Sequence, residues 1–152
     1  MFNFFLIFFT YVLIILNTAA TESQIFGWDS KGNIVREEVI EFPSGKKFVS
    51  FRHEGGFETS ISRYGSYMCD GNILFNKEEN LENMSYACRF SDQKGDSFFS
   101  LGSRKKGTSK DRSSGKMIIV EGEGYWKEYE GKVCTYGLEN VEKVIFVKSK
   151  CK

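Results

Sequence analysis

The sequence predicts an α+β domain in which one helix packs on an antiparallel β-sheet. Fifteen glycines, a single proline and an aromatic content of 16% are typical of a β-rich chain with glycine turns. Only one segment, which begins at Asn76, carries the signals of a helix start. In the C-terminal third, short apolar runs follow one another closely, which indicates an antiparallel meander.

The chain begins with an apolar segment, Phe2–Leu16, that contains no charged residue. This segment is shorter than the about 20 residues of a membrane-spanning helix, and small residues of the kind that a signal peptidase cleaves follow it. We therefore expect residues 1–20 to be a secretion signal, with a signal anchor as the alternative. The remaining chain of about 130 residues suffices for one domain, which we expect to be secreted, monomeric and free of membrane contact.

Cysteine number and net charge restrict the class of protein further. The expected mature part contains four cysteines, Cys69, Cys88, Cys134 and Cys151. An even number in an exported chain favours two structural disulfides, and three pairings are open at this point. The wide cysteine spacing disfavours a zinc site, and we expect no metal or cofactor. The net charge of +1 gives no global field that would direct the protein to nucleic acid or to a membrane.

Residues 21–63 are predicted to be an N-terminal extension rich in β-hairpins. A polar turn at 29–33 separates two short strands, and Pro43–Gly45 forms the turn of a second hairpin. Gly55 and Gly56 then interrupt the chain before a third short strand.

The helix is predicted over Asn76–Phe90. Asn76 can cap its first turn, and Glu79 follows at the spacing of a capping box. From Leu81 onward, apolar residues recur at helical spacing, so this face should pack on the sheet.

A polar loop and a set of short strands follow the helix. Residues 102–115 include no apolar side chain, which predicts a mobile loop. Strands are expected at 117–120, 125–129, 132–136 and 141–147.

Several segments resemble the small fungal guanyl-preferring ribonucleases. Tyr67–Asn72, a turn and the capped helix are similar to the opening of those enzymes. Segments 125–129, 131–133 and 142–146 look like their central strands in the same order. The resemblance covers about residues 64–151, and we expect the ribonuclease-like domain to comprise residues 64–152.

The chain also resembles the ribonuclease-like secreted effector candidates of powdery mildew fungi. These share a signal peptide, a small mature domain, a Tyr-x-Cys motif near its start and a cysteine at the C-terminus, here Tyr67, Cys69 and Cys151. The resemblance implies a disulfide-stapled fold with one helix on a twisted antiparallel sheet. It also implies how the cysteines pair, as Cys69–Cys151 and Cys88–Cys134.

The chain departs from the enzymes at the catalytic groups. Ribonuclease chemistry needs an acid, normally histidine. The single histidine, His53, lies outside the similar region, and we expect it to be an exposed turn residue. Glu128 is out of register with the catalytic glutamate of the enzymes, and Lys143 occupies the place of their phosphate-binding arginine. We therefore expect a fold that has lost hydrolytic activity and has no catalytic residues.

A basic stretch offers a different kind of RNA contact. Its side chains would bind phosphates while Tyr125 or Trp126 stacks on a base, with Lys143 as a further cation. The cations of the stretch are Arg104, Lys105, Lys106, Lys110, Arg112 and Lys116. The alternative is a solvated loop without a binding role.

These observations predict a secreted effector with a catalytically inactive ribonuclease-like fold that binds a host protein or host RNA. Translocation into host cells is an open further step. Two alternatives remain. One is an active secreted ribonuclease that uses groups such as Glu128, Lys127 and Lys143. The other is an extracellular β-rich ligand-binding module unrelated to ribonucleases, which is favoured if the segment 76–90 does not pack as a helix across a sheet.

Overall fold

The computed structural model describes residues 26–104 and 112–152. Within these ranges, eight antiparallel strands form a closed barrel in which each strand pairs with its neighbours in sequence. The barrel closes because β1 also pairs with β8, from Phe26 opposite Cys151 to Asn33 opposite Val144. The strands are β1 Phe26–Glu41, β2 Lys47–Thr59, β3 Tyr64–Phe75, β4 Leu81–Asp92, β5 Ser97–Arg104, β6 Arg112–Gly122, β7 Val133–Val141 and β8 Val144–Cys151.

The predicted α+β fold is wrong, because the described residues contain one short 3₁₀ helix, Gly124–Tyr129, and no α-helix. The segment predicted as a helix forms the β3–β4 turn and strand β4. Asn76 does not cap a helix: its side-chain oxygen accepts hydrogen bonds from the backbone N–H groups of Glu78 and Asn80, at 3.1 and 2.8 Å. Such a local bond closes a turn as readily as it caps a helix. Glu79 has a φ of 61°, outside the helical region.

The predicted polar turn at 29–33 is also wrong, because β1 continues through it. Asp29 and Lys31 point to solvent, whereas Ser30 and Gly32 are buried. The polar residues are thus the outer face of a half-buried strand. The hairpin turn at Pro43–Gly45 is confirmed, and Gly45 adopts a positive φ of 83° there.

The C-terminal elements differ from the prediction at two places. Residues 125–129 lie in the 3₁₀ helix rather than in a strand. The predicted strand 141–147 is interrupted by the β7–β8 turn, where Glu142 has a φ of 56°. Strand residues extend to Arg104 and resume at Arg112, so part of the predicted loop 102–115 belongs to β5 and β6; the remainder lies outside the described residues.

The four cysteines form two disulfides, as expected, but the predicted partners are wrong. Cys69 bonds to Cys88 across β3 and β4, and Cys134 bonds to Cys151 across β7 and β8. The Cα atoms of the two pairs are 4.1 and 3.9 Å apart. Each pair is directly opposed on adjacent strands. This opposition places the side chains within bonding reach, whereas the partners that the ribonuclease resemblance implied lie on strands that do not pair.

One end of the barrel, which we call the plugged end, is closed by the 3₁₀ helix. Trp126 is fully buried and its indole Nε1–H donates to the Asp92 carboxylate at 3.1 Å. Arg63 forms an ion pair with the same carboxylate, and its guanidinium lies 3.6 Å from the centroid of the Tyr125 ring. The buried carboxylate is therefore paired and hydrogen-bonded, which is the condition for burying a charge.

A layer of aromatic rings lies above the plug. Phe90 and Phe98 stack with 4.5 Å between centroids, and Trp28 packs against both rings at 5.3 and 5.4 Å. At the opposite end lie the turns β1–β2, β3–β4 and β7–β8, and we call it the turn end. Between the aromatic layer and the turn end, polar side chains such as His53 and Tyr136 face the interior, and a second buried apolar cluster of Phe51, Leu81 and Met84 lies near the β3–β4 turn.

Candidate functional site

A cavity of about 30 Å³ lies inside the barrel between the aromatic layer and the turn end. Its polar lining side chains are Ser30, His53, Tyr67, Tyr86 and Tyr136. Apolar side chains from β1, β4, β6, β7 and β8 complete the wall. A cavity of this size accommodates about one or two water molecules.

Glycines on the neighbouring strands make room for the three cavity tyrosines. Gly102 is directly opposite Tyr86, and a Cβ atom added at Gly102 would overlap the tyrosine ring. Gly115 and Tyr136 have the same relation across β6 and β7.

The third tyrosine, Tyr67 on β3, reaches across β2 to Gly32 on β1. A Cβ atom at Gly32 would overlap its hydroxyl. All three rings are therefore accommodated by wall positions that carry no side chain.

Four polar atoms around this cavity have no hydrogen-bond partner among residues 26–104 and 112–152. They are Trp28 Nε1, His53 Nδ1, Tyr67 Oη and Tyr136 Oη. The Tyr67 hydroxyl lies beside Ser30 and the Tyr136 hydroxyl beside Tyr86, in each case without a hydrogen bond of normal geometry. Nearly all buried polar atoms in native proteins are paired, since an unpaired one costs about 1–3 kcal/mol. The lining of this cavity therefore offers polar groups to whatever occupies it, water included.

The cavity side chains are uncharged at neutral pH. Burial lowers the pKa of the His53 imidazole to about 4, and the nearby Asp70 carboxylate offsets only part of this effect. Burial raises the pKa of Tyr67 to about 12. The pKa of Tyr86 is raised as well, by burial first and then by its neighbour Tyr136.

A charged group lies at the edge of this neutral region. Arg104, the last residue of β5, alternates inward with Gly102 and pairs with Met84 of β4, which lines the cavity. It interacts electrostatically with Tyr86 and Tyr136, and burial lowers its pKa. The guanidinium nevertheless stays protonated at neutral pH.

The residues expected to bind RNA are not brought together. Arg104, Arg112 and Lys143 lie towards the turn end, where Arg112 binds Glu139 at 2.8 Å. Tyr125 and Trp126 lie at the plugged end, and Trp126 has no exposed surface. Lys116 is exposed on the outer face of β6. Lys105, Lys106 and Lys110 lie outside the described residues.

Two site residues have a different role from the expected one. His53 was expected in an exposed turn, but it is 7% exposed within β2, stacked on Phe51 with 5.7 Å between ring centroids. Tyr67, taken from the Tyr-x-Cys motif, lines the cavity. The alternation of Phe51, His53, Gly55 and Phe57 along β2 was the signal that could have indicated an inward-facing histidine.

Among residues 26–104 and 112–152, no cluster of His, Cys, Asp or Glu side chains could hold a metal ion. In the same ranges, no helix combines the length and apolar character needed to cross a membrane. No protein-family model matches the chain, and no curated protein matches it.

Proposed function

We propose that this chain is an extracellular β-barrel that binds a small organic molecule in its interior. The observation that carries the proposal is the group of four unpartnered polar atoms around one cavity. Barrels of eight strands either fill their interior with side chains or hold one small ligand. The polar interior favours the second use, because an apolar filling would be more stable. The apolar leader and the two disulfides support an extracellular location.

The size and chemistry of the cavity restrict the ligand. Trp28, Phe90 and Tyr67 provide ring faces and edges, so a planar ring suits the apolar part of the cavity. The indole N–H and the tyrosine hydroxyls offer hydrogen bonds to acceptor atoms on that ring. A ring is larger than the present cavity, and it enters by displacement of Met84 and Met117, whose unbranched side chains adapt most easily.

A binding screen tests the proposal directly. The disulfide-bonded protein, residues 21–152, is labelled with ¹⁵N and titrated with a library of single-ring organic molecules. We expect at least one to shift the amide signals of Tyr67 and Tyr136 while the signal of Tyr64, 58% exposed on the same strand as Tyr67, stays in place. If no member of the library shifts interior signals, and a crystal structure shows only water at the four polar atoms, the proposal is wrong.

A matched pair of variants separates binding from structure. Tyr67→Phe removes a hydroxyl that makes no hydrogen bond of normal geometry with another described residue. It should therefore lower the affinity for the bound ligand by about tenfold without lowering the free energy of unfolding of the ligand-free protein. Tyr64→Phe removes an exposed hydroxyl and should change neither quantity. A loss of stability in Tyr67→Phe with unchanged affinity would show that this hydroxyl is structural and would contradict the proposal.

A further inference from the structure

Arg104 differs from the other two partly buried arginines of the protein, Arg52 and Arg63. It faces the barrel interior at the end of β5, beside Met84, and its Nε atom is buried without a hydrogen-bond partner. Within the described residues, no carboxylate forms an ion pair with it. Four other arginines do bind carboxylates: Arg36 and Arg52 bind Asp70, Arg63 binds Asp92, and Arg112 binds Glu139.

An inward-facing guanidinium without a counter-ion is costly, because burial removes part of its hydration. The neighbours of Arg104 inside the barrel are the phenol groups of Tyr86 and Tyr136. These are neutral, so they do not compensate its charge. The Tyr136 hydroxyl lies beside Tyr86 but makes no hydrogen bond of normal geometry within the described residues, and both Arg104 and Tyr136 can donate a hydrogen bond to the same anion.

On the basis of the proposed function, we infer that the ligand is a single-ring carboxylic acid whose carboxylate binds Arg104 and whose ring lies in the cavity. The planar guanidinium presents paired N–H donors that match the two oxygens of a carboxylate. Arg104 lies beside the cavity, next to its lining residue Met84, and among the described residues the lining itself contains no lysine or arginine. One positive charge suits a monoanion, whereas a phosphate dianion would need more than one cationic group.

The first test compares ligands and needs no variant. Benzoate and its hydroxylated derivatives are titrated into the protein, residues 21–152, beside the matched neutral amides, at pH 7. We expect the acids to bind at least tenfold more tightly than the amides. Equal affinity of the two series would overturn the inference while interior binding, and thus the proposed function, would stand. Binding of neither series would overturn the inference, and the proposed function would then depend on the wider library.

The second test compares variants. Arg104→Gln should weaken acid binding at least tenfold and leave amide binding unchanged, and Arg104→Lys should restore only part of the acid affinity because the paired donors are lost. Arg89→Gln, at an exposed outward position of β4, is the control and should change neither. If Arg104→Gln binds acids as tightly as the unmodified protein does, the inference is wrong.

Discussion

At the scale of single residues, the barrel interior combines features that stability alone does not favour. His53 is buried, and its Nδ1 atom has no hydrogen-bond partner in the described part of the chain. Two tyrosine hydroxyls and an indole N–H line the same cavity, and each likewise makes no hydrogen bond of normal geometry with another described residue. Glycine lies opposite Tyr86 and Tyr136, at positions where a larger residue would overlap these rings. Such sets of locally unfavourable choices are typical of functional sites.

The buried histidine predicts how stability depends on pH. The pKa of His53 is about 4 in the folded protein, below its ordinary value of 6.5, so the unfolded chain binds the proton more tightly. The stabilisation is complete above about pH 6.5 and is lost as the pH falls towards 4. The loss amounts to about 3 kcal/mol. Urea unfolding between pH 4 and 7 should show this loss for the unmodified protein and not for His53→Gln. An imidazole that titrates near pH 6.5 by NMR would contradict the prediction.

The two buried tryptophans provide a second test at this scale. Trp126 donates a hydrogen bond to the Asp92 carboxylate, whereas Trp28 has no partner for its Nε1–H. Both are almost completely buried. Trp126→Phe should therefore lower the free energy of unfolding by about 2 kcal/mol more than Trp28→Phe does, since a hydrogen bond to a charged group contributes about 1.5–3 kcal/mol. Equal losses in urea unfolding would show that the bond contributes nothing.

At the scale of elements, one set of local signals fits two structures. Asn76 followed by Glu79 has the spacing of a helix cap, yet the side-chain oxygen of Asn76 closes the β3–β4 turn. Leu81 and Met84 fit a helical face, but Met84, Tyr86, Cys88 and Phe90 also alternate with period two. The ladder hydrogen bonds to the neighbouring strands β3 and β5 decide between these patterns, and they come from outside the segment itself.

The disulfides can be tested at this scale. Proteolysis of the non-reduced protein followed by mass spectrometry should yield peptides that join Cys69 to Cys88 and Cys134 to Cys151. Cys69 and Cys88 are 19 residues apart in sequence, and Cys134 and Cys151 are 17 residues apart. Closing a loop of this length stabilises the folded protein by about 3 kcal/mol. Replacing Cys134 and Cys151 together by serine should lower stability by this amount in urea unfolding. A peptide that links Cys69 to Cys151 would contradict the assigned pairing.

At the scale of the whole molecule, closure is the property that organises the protein. Residues 26–63 form β1 and β2, of which β2 pairs with β3 and β1 pairs with β8. A closed sheet leaves no long unpaired edge and encloses an interior. The candidate site exists only because this closure brings β1, β2 and β3 together with β6, β7 and β8.

A truncation tests whether the barrel is one folding unit. A fragment of residues 64–152 keeps all four cysteines but lacks β1 and β2, so β3 and β8 would have no partners on one side. We expect this fragment to be unfolded or aggregated by circular dichroism and size-exclusion chromatography, whereas residues 21–152 should be folded and monomeric. A folded, soluble fragment would show that residues 64–152 form a domain without the extension.

Local features of the chain are visible in its residues before any folding is considered. The glycine and aromatic content indicates a β-rich protein, the turn at Pro43–Gly45 follows from local backbone preferences, and the even cysteine number indicates two disulfides; the structure agrees with each. Secretion remains a prediction. The cysteine partners depend on strand register, which places Cys69 opposite Cys88 and Cys134 opposite Cys151. The presence of His53 and Tyr136 around one cavity depends on closure of the barrel, in which Phe26 pairs with Cys151, and no local pattern specifies it.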